Sequence, residues 1–259
     1  MIAGPSRAGK ATALLATTSF YGIGREEDLL NWNATGARLL EVAAGFADIV
    51  LPLNEVGAKN GKRNQTYEGV RDLVYQYAEG SDRARHSTYQ GGEACRFHGI
   101  MIATAEHSIA DYARLAHEVR DDGELFRAID VAAVREGMTT IFDLAPDTLD
   151  QPKRLQELRN DLKVQHGTAC VPYIEQLIRM GQGEVKRRVD ELIQECVNHM
   201  PAAAHHNVAG AMAKNFGLLY AGATLGIESG VLPWTKYHAG AALKRGSMMR
   251  SNIPSQSIP

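Results

Sequence analysis

The chain has 259 residues, of which 44% are hydrophobic and 22% charged, and its formal net charge is −2. This is a globular composition with room for one large or two modest domains. It excludes a global basic field, so any contact with nucleic acid must come from local patches.

The first element in the chain is a motif. Gly4-Pro5-Ser6-Arg7-Ala8-Gly9-Lys10 fits Gly-x-x-x-x-Gly-Lys, the phosphate-binding loop of NTPases. The glycines let the backbone curl so that successive N–H groups point at a phosphate. The lysine adds a point charge, and the helix that follows presents its positive end. Gly4, Pro5, Ser6, Arg7, Ala8, Gly9, Lys10, Ala11 and Thr12 are therefore the expected ATP-binding segment. The motif normally continues with Ser or Thr, whose hydroxyl binds Mg²⁺. Here Ala11 stands at that position and Thr12 comes one residue late. Thr12 is either a substitute metal ligand or an ordinary helix residue. Only Met1-Ile2-Ala3 precede the loop, less than the strand that usually feeds one, so either the first strand is truncated or, the favoured alternative, the chain is a piece of a longer protein.

Helices are predicted over 10–20 and, with Thr35 as cap, over 36–46, where Leu39, Leu40, Val42 and Ala43 face inward. Asp48-Ile49-Val50-Leu51-Pro52-Leu53-Asn54-Glu55 reads as a buried parallel strand that delivers polar groups at its carboxyl end, with Pro52 awkward in it. A polar loop over 58–65 leads to a helix over 67–78, and the basic turn Arg83-Ala84-Arg85-His86 follows. That cluster is a backbone-phosphate contact or, more simply, a solvated turn. A strand over 97–103 ends at Thr104-Ala105-Glu106, a helix covers 109–119, and a strand over 125–131 bears Arg127. Alternating strands and helices imply an α/β fold with a parallel sheet. From 149 the pattern is helical, over 152–166, 185–199 and 206–230. The expected organisation is a P-loop NTPase core at 1–148, a helical region at 149–250 and a disordered Ser/Pro-rich tail at 251–259.

Three further positions carry candidate chemistry. Asn54-Glu55 ends an apolar strand where NTPases place Asp or Asp-Glu. Glu55 keeps the water-activating carboxylate, while the amide oxygen of Asn54 is a weaker ligand for Mg²⁺ than a carboxylate. Thr104, at a strand end, is a candidate contact for the γ-phosphate. Arg127 is a candidate cation for a neighbouring subunit's nucleotide, or a solvent-facing arginine in an ion pair. The catalytic set is thus Lys10, Glu55, Thr104 and Arg127, and the metal set Thr12 and Asn54. Cys196-x-x-His199 with His205-His206 matches no standard zinc spacing. Three sparse cysteines (Cys95, Cys170, Cys196) argue for a reducing, cytoplasmic setting. The apolar stretch 216–234 contains Glu228 and several glycines, and reads as a buried helix rather than a membrane span.

The ordered motifs resemble DUF927, a P-loop family of bacterial and phage mobile elements. Gly4 to Lys10 with Ala11-Thr12-Ala13-Leu14 resembles its Gly-Lys-Thr-Thr-Ala-Leu; Trp32-Asn33-Ala34-Thr35 with Leu40-Glu41 and Ala43 resembles its Trp-x-Ala-Thr segment. Leu51-Pro52-Leu53-Asn54-Glu55 is similar to its Leu-x-Leu-Asp-Glu, and Thr104-Ala105-Glu106 stands at its Ser-x-Gly-Glu turn. Gly123 to Asp130 resembles its Gly-Gln-x-x-Arg-x-x-Asp, matching Arg127. Phe216-Gly217-Leu218-Leu219-Tyr220-Ala221-Gly222, then Gly230-Val231-Leu232-Pro233-Trp234, resembles its terminal helix and closing Gly-x-x-x-Trp. The resemblance covers the family's C-terminal half. It implies helicase-like ATP hydrolysis coupled to movement on DNA, with ATP and Mg²⁺ as cofactors, copies assembled in a ring, and no membrane. Two alternatives stand beside it: a degenerate nucleotide-binding or scaffold protein that does not hydrolyse, its metal side altered at Ala11 and Asn54, or a gene remnant that does not fold alone.

Overall fold

In a computed structural model the described residues are 1–32, 36–56, 63–80, 97–134, 138–142, 150–200 and 207–248. Thr35, the Arg83/Arg85/His86 cluster, Cys95, His205, His206 and the tail at 251–259 lie outside them. The chain divides into two units after His166.

The first unit is built on a parallel sheet of order β2-β3-β4-β1-β5. Its strands are β1 (Ile2–Ala3), β2 (Leu30–Asn31), β3 (Val50–Val56), β4 (Ile100–Ala105) and β5 (Val131–Ala132). The helices are α1 (Lys10–Ser19), α2 (Gly36–Gly45), α3 (Arg63–Glu79), α4 (Ile109–Leu115), α5 (Asp122–Arg127) and α6 (Gln151–Val164). The expected α/β fold with a parallel sheet is therefore the observed one. Successive residues of a strand face opposite sides of the sheet, and both sides here are covered. Ala103 and Ala105 of β4 join Leu51, Leu53, Tyr67 and Ile109 in one core, whereas Ile102 packs with Leu14, Leu15 and Leu162 in another. Pro52 is tolerated in β3 because β2 pairs that strand only at Leu53 and Asn54, leaving Pro52 a ladder neighbour on one side.

Two expected elements are corrected. The helix predicted over 109–119 stops at Leu115, where His117 turns into the left-handed region (φ 59°). The strand predicted over 125–131 is instead α5 followed by the short β5. The reason is local: the Glu124 carboxylate accepts the Asp121 N–H at 3.2 Å, closing a helix start that reads in the sequence as a turn. Glu124 is fully buried and also accepts the Tyr67 hydroxyl at 2.8 Å, which ties α5 to α3. Tyr67→Phe should therefore destabilise the first unit by about 1–3 kcal/mol, read as a lower urea midpoint, because it removes one of the two hydrogen bonds to a buried carboxylate oxygen.

The pattern from 149 places α6 in the helical region. It belongs instead with the first unit, because Leu158 and Leu162 pack against Leu14, Leu15 and Leu29. The second unit, from Gly167 on, is helical: α7 (Cys170–Met180), α8 (Gln182–Asn198), α9 (Asn207–Glu228) and α10 (Lys236–Met248). Leu192, Tyr220, Ala221, Leu225 and Ala239 form its core. α8 and α9 approach closely at Gly217, where a Cβ would stand 3.1 Å from Ile193.

Candidate functional site

The glycine-rich loop leaves the sheet between two strands. Gly4 N–H donates to Ala105 of β4, and Ala133 N–H, just past β5, donates to Ala3. A Cβ on Gly4 would meet that of Ala133 at 2.9 Å, so the exit admits no side chain. The loop then rises through Arg7 (φ 62°) and Gly9 (φ 97°) into α1. Glycine is required at position 9 twice over: the backbone is left-handed, and a Cβ would lie 2.9 Å from Leu155 Cδ2. The first intrahelical bond of α1 runs from Ala13 N–H to Gly9, and no side chain caps Gly9. The N–H groups of Lys10, Ala11 and Thr12 thus precede the helix's own ladder and suit an anion. Lys10 Nζ donates to the carbonyls of Gly4 and Pro5, each at 2.7 Å. Burial holds its pKa below the ordinary lysine value, and the Glu106 and Glu55 carboxylates pull in the opposite direction.

The sequence-predicted residues of β3 and β4 meet at the same edge. Thr104 is buried; its hydroxyl donates to Asn54 Oδ1 at 2.7 Å and accepts the Glu55 N–H at 3.0 Å. The pairing of β3 and β4 shifts register between Leu53 and Val56, and Glu55 sits at that bulge with φ 56°. The irregularity turns Glu55 outward onto a cleft of about 790 Å³. Ser6, Arg7, Gly9, Lys10, Ala11, Asn54, Glu55 and Thr104 all line it. Its volume falls in the usual range for small-molecule sites, about 300–1,000 Å³.

Other predicted residues stand elsewhere. Thr12 is not in the cleft wall: it is buried, and its hydroxyl accepts the Nε–H of Arg159 at 2.7 Å, while Ala11 faces the cleft in its place. Thr12 therefore does not fit as a Mg²⁺ ligand, since its hydroxyl is buried against Arg159, whereas Asn54 lines the cleft with its amide oxygen accepting one hydrogen bond, from Thr104. Among the described residues no three His, Cys, Asp or Glu side chains group as a metal site. Thr104 lines the cleft with its hydroxyl proton directed at Asn54 Oδ1. Arg127 ends α5 away from the cleft, bonded to the Gly123 carbonyl and stacked 5.1 Å from the Tyr75 ring. The segment around it is structural: Glu124 holds Tyr67, and Asp130 accepts Arg120 at 3.0 Å. Sequence reasoning missed Glu106 and Arg159, both lining the cleft. Glu106 directly follows Thr104-Ala105 and had a signal in that position; Arg159, far down the chain, had none.

A parallel sheet with a glycine-rich loop joining strand to helix at the carboxyl edge is the P-loop type of α/β core. Residues 1–94 match the family model described as "Domain of unknown function (DUF927)", a match that takes in the resembling motifs up to Glu55 and not those at 104–106, 123–130 and 216–234. A solved structure described as "SCCmec type IV Cch - active helicase" is similar to this chain, with a TM-score of 0.65 and 16% identity. The match covers 96% of this chain and 42% of that one, and at this identity it is a likeness of fold. No curated protein matches the sequence. Among the described residues no helix is long and apolar enough to cross a membrane.

Proposed function

We propose that the first unit binds ATP in this cleft, as the nucleotide-binding part of a helicase-like P-loop ATPase of a mobile-element or phage protein that acts on DNA. The observation that carries the proposal is the convergence of the Gly4–Lys10 loop with Glu55 on one cleft wall. The amides at the start of α1 receive phosphate oxygens, and the Lys10 ammonium exchanges the Gly4 and Pro5 carbonyls for phosphate. Glu55, exposed on the bulge, orients the attacking water. Thr104 acts as a positioning residue: its hydroxyl holds the Glu55 backbone and the Asn54 side chain together. The protein of similar fold is an active helicase by its description, and DNA as partner and assembly into a ring extend that likeness to this chain. The test is nucleotide binding and phosphate release by the purified chain, with and without single-stranded DNA. DNA-stimulated release supports a motor; absence of binding overturns the proposal.

A second reading, a nucleotide-binding protein that does not hydrolyse, is favoured by Ala11 on the cleft wall and by the engaged oxygens of Thr12 and Asn54. Ala11→Thr combined with Asn54→Asp restores a hydroxyl and a carboxylate on the metal side. Metal electrostatics at a transferring phosphoryl group is worth several kcal/mol, so turnover should rise at least about tenfold in Mg²⁺. Unchanged turnover, with binding intact, removes these two positions as the cause of any deficit.

A further inference from the structure

We infer that the cleft binds nucleotide phosphates without a divalent cation, the Arg159 guanidinium supplying the positive charge on the side of the loop where a metal ion would sit. The inference rests on the nucleotide-binding reading above and adds the identity of the counter-charge.

At the position where the motif normally supplies a metal-binding hydroxyl the cleft wall has none, and the carboxylates that line the cleft are those of Glu26, Glu55 and Glu106. The residue facing the cleft at that position is Ala11, which has no hydroxyl to give. The neighbouring hydroxyl, Thr12, is buried against Arg159, and the Asn54 amide oxygen, a weaker ligand than a carboxylate, is shared with Thr104. What the same wall does offer is a cation. Arg159 projects from α6 into the cleft lining with its Nε–H anchored on Thr12 Oγ1 at 2.7 Å. Its Nη1 is 3.7 Å from Glu26 Oε2, a loose pair between side chains 35% and 47% exposed. A guanidinium carries five N–H donors in a planar fork, so anchoring through Nε leaves the Nη edge for a bidentate phosphate contact.

The placement is only partly compensated as it stands, by Glu55 and Glu106 near Lys10 and by Glu26 beside Arg159. Thr12 belongs to the first turn of α1, the positive end of that helix, where a cation is disfavoured. Lys10 shares the turn. Glu26 offsets this only at long range and in solvent, where such pairs contribute little. A polyphosphate at the loop would pair with Arg159, Lys10 and the helix end together. Arg159 is held for that purpose by a rigid element: Leu158 and Leu162 pack α6 on Leu14 and Leu15 of α1, and Leu155 reaches Gly9 itself.

The test is titration of the purified chain with a fluorescent ADP analogue in excess EDTA and in Mg²⁺. Wild-type affinities in the two buffers should agree within about threefold, and Arg159→Ala should weaken binding in EDTA about tenfold or more, the loss of one charge-assisted contact. Arg159→Gln, which keeps a donor for Thr12 but not the charge, should show the same loss while melting close to wild type. Glu26→Gln should tighten binding by releasing the guanidinium. Binding that needs Mg²⁺ overturns the inference and leaves the nucleotide-binding reading standing. So does wild-type affinity of both Arg159 variants in EDTA. Absence of binding in both buffers overturns that reading and this inference with it.

Discussion

Lys10→Ala is expected to abolish measurable nucleotide binding while leaving the fold intact. The ammonium stands where the loop enters α1, and its two present partners are the carbonyls of Gly4 and Pro5. Charge-assisted hydrogen bonds to phosphate are worth about 1.5–3 kcal/mol each, so losing one or two weakens binding by roughly tenfold to several hundredfold or more. The stability cost is small, because water replaces the ammonium at those carbonyls. Nucleotide titration with a parallel thermal melt checks both halves; unchanged affinity refutes the loop assignment. The pH dependence has a definite sign. Burial lowers the Lys10 pKa more than Glu106 and Glu55 raise it, so the charged form is lost at lower pH than for a free lysine. Affinity should fall on the alkaline side earlier than ordinary lysine titration would bring about.

The largest stability effect is expected at Asp130. Its Oδ1 accepts the Ile109 N–H at 3.0 Å, and its Oδ2 accepts the Ala110 N–H at 3.3 Å and Arg120 Nη1 at 3.0 Å. Arg120 in turn donates to the carbonyls of Glu124 and Ala128. The two side chains are only 5% and 8% exposed. One carboxylate thus closes the start of α4, neutralises a buried guanidinium and, through it, holds the turn from α5 to β5. Asp130→Ala leaves that guanidinium unpaired and orphans helix N–H groups, which should cost about 3–5 kcal/mol. Against a typical total of about 5–15 kcal/mol the first unit becomes marginal. Urea unfolding at neutral pH measures it. A double replacement of Arg120 and Asp130 by apolar residues should cost less than Asp130→Ala alone, since no charge is then left buried without a partner. A loss below about 1 kcal/mol for Asp130→Ala would show that the network does not hold the unit together.

How much of the molecule is legible in its sequence depends on the range of the interactions. The loop is readable because its glycines answer a local demand, as Gly9 does with its left-handed backbone. The polar residues at the ends of β3 and β4 are readable because parallel strands deliver their carboxyl ends to one edge. That Thr104 bonds Asn54, rather than awaiting a phosphate, follows from the register that sets Ala103 beside Leu53 and from the bulge after it; neither is written in local spacing. α5 reads wrongly as a strand because its six residues carry an apolar pair, Leu125-Phe126, while the decisive Asp121-Glu124 closure looks like a polar turn. Arg127 accordingly ends a helix instead of lying on a strand. α7 and α10 have no counterpart among the predicted helices. The contact between Thr12 and Arg159 depends on how α6 lies on α1, which no pattern within either helix records.

The pairing of β1 has a consequence for the order of assembly. Ile2 lies between Thr104 and Val131, and the loop that follows is pinned to Ala105 and to the chain just beyond β5. Those partners are distant in the chain, and the entropy of closing such long segments must be met before the contacts repay it. The phosphate loop precedes these partners in the chain and is consequently among the last parts of the first unit to take shape. On the ribosome Gly4 to Lys10 are pinned on both sides only once β4 and then β5 have followed.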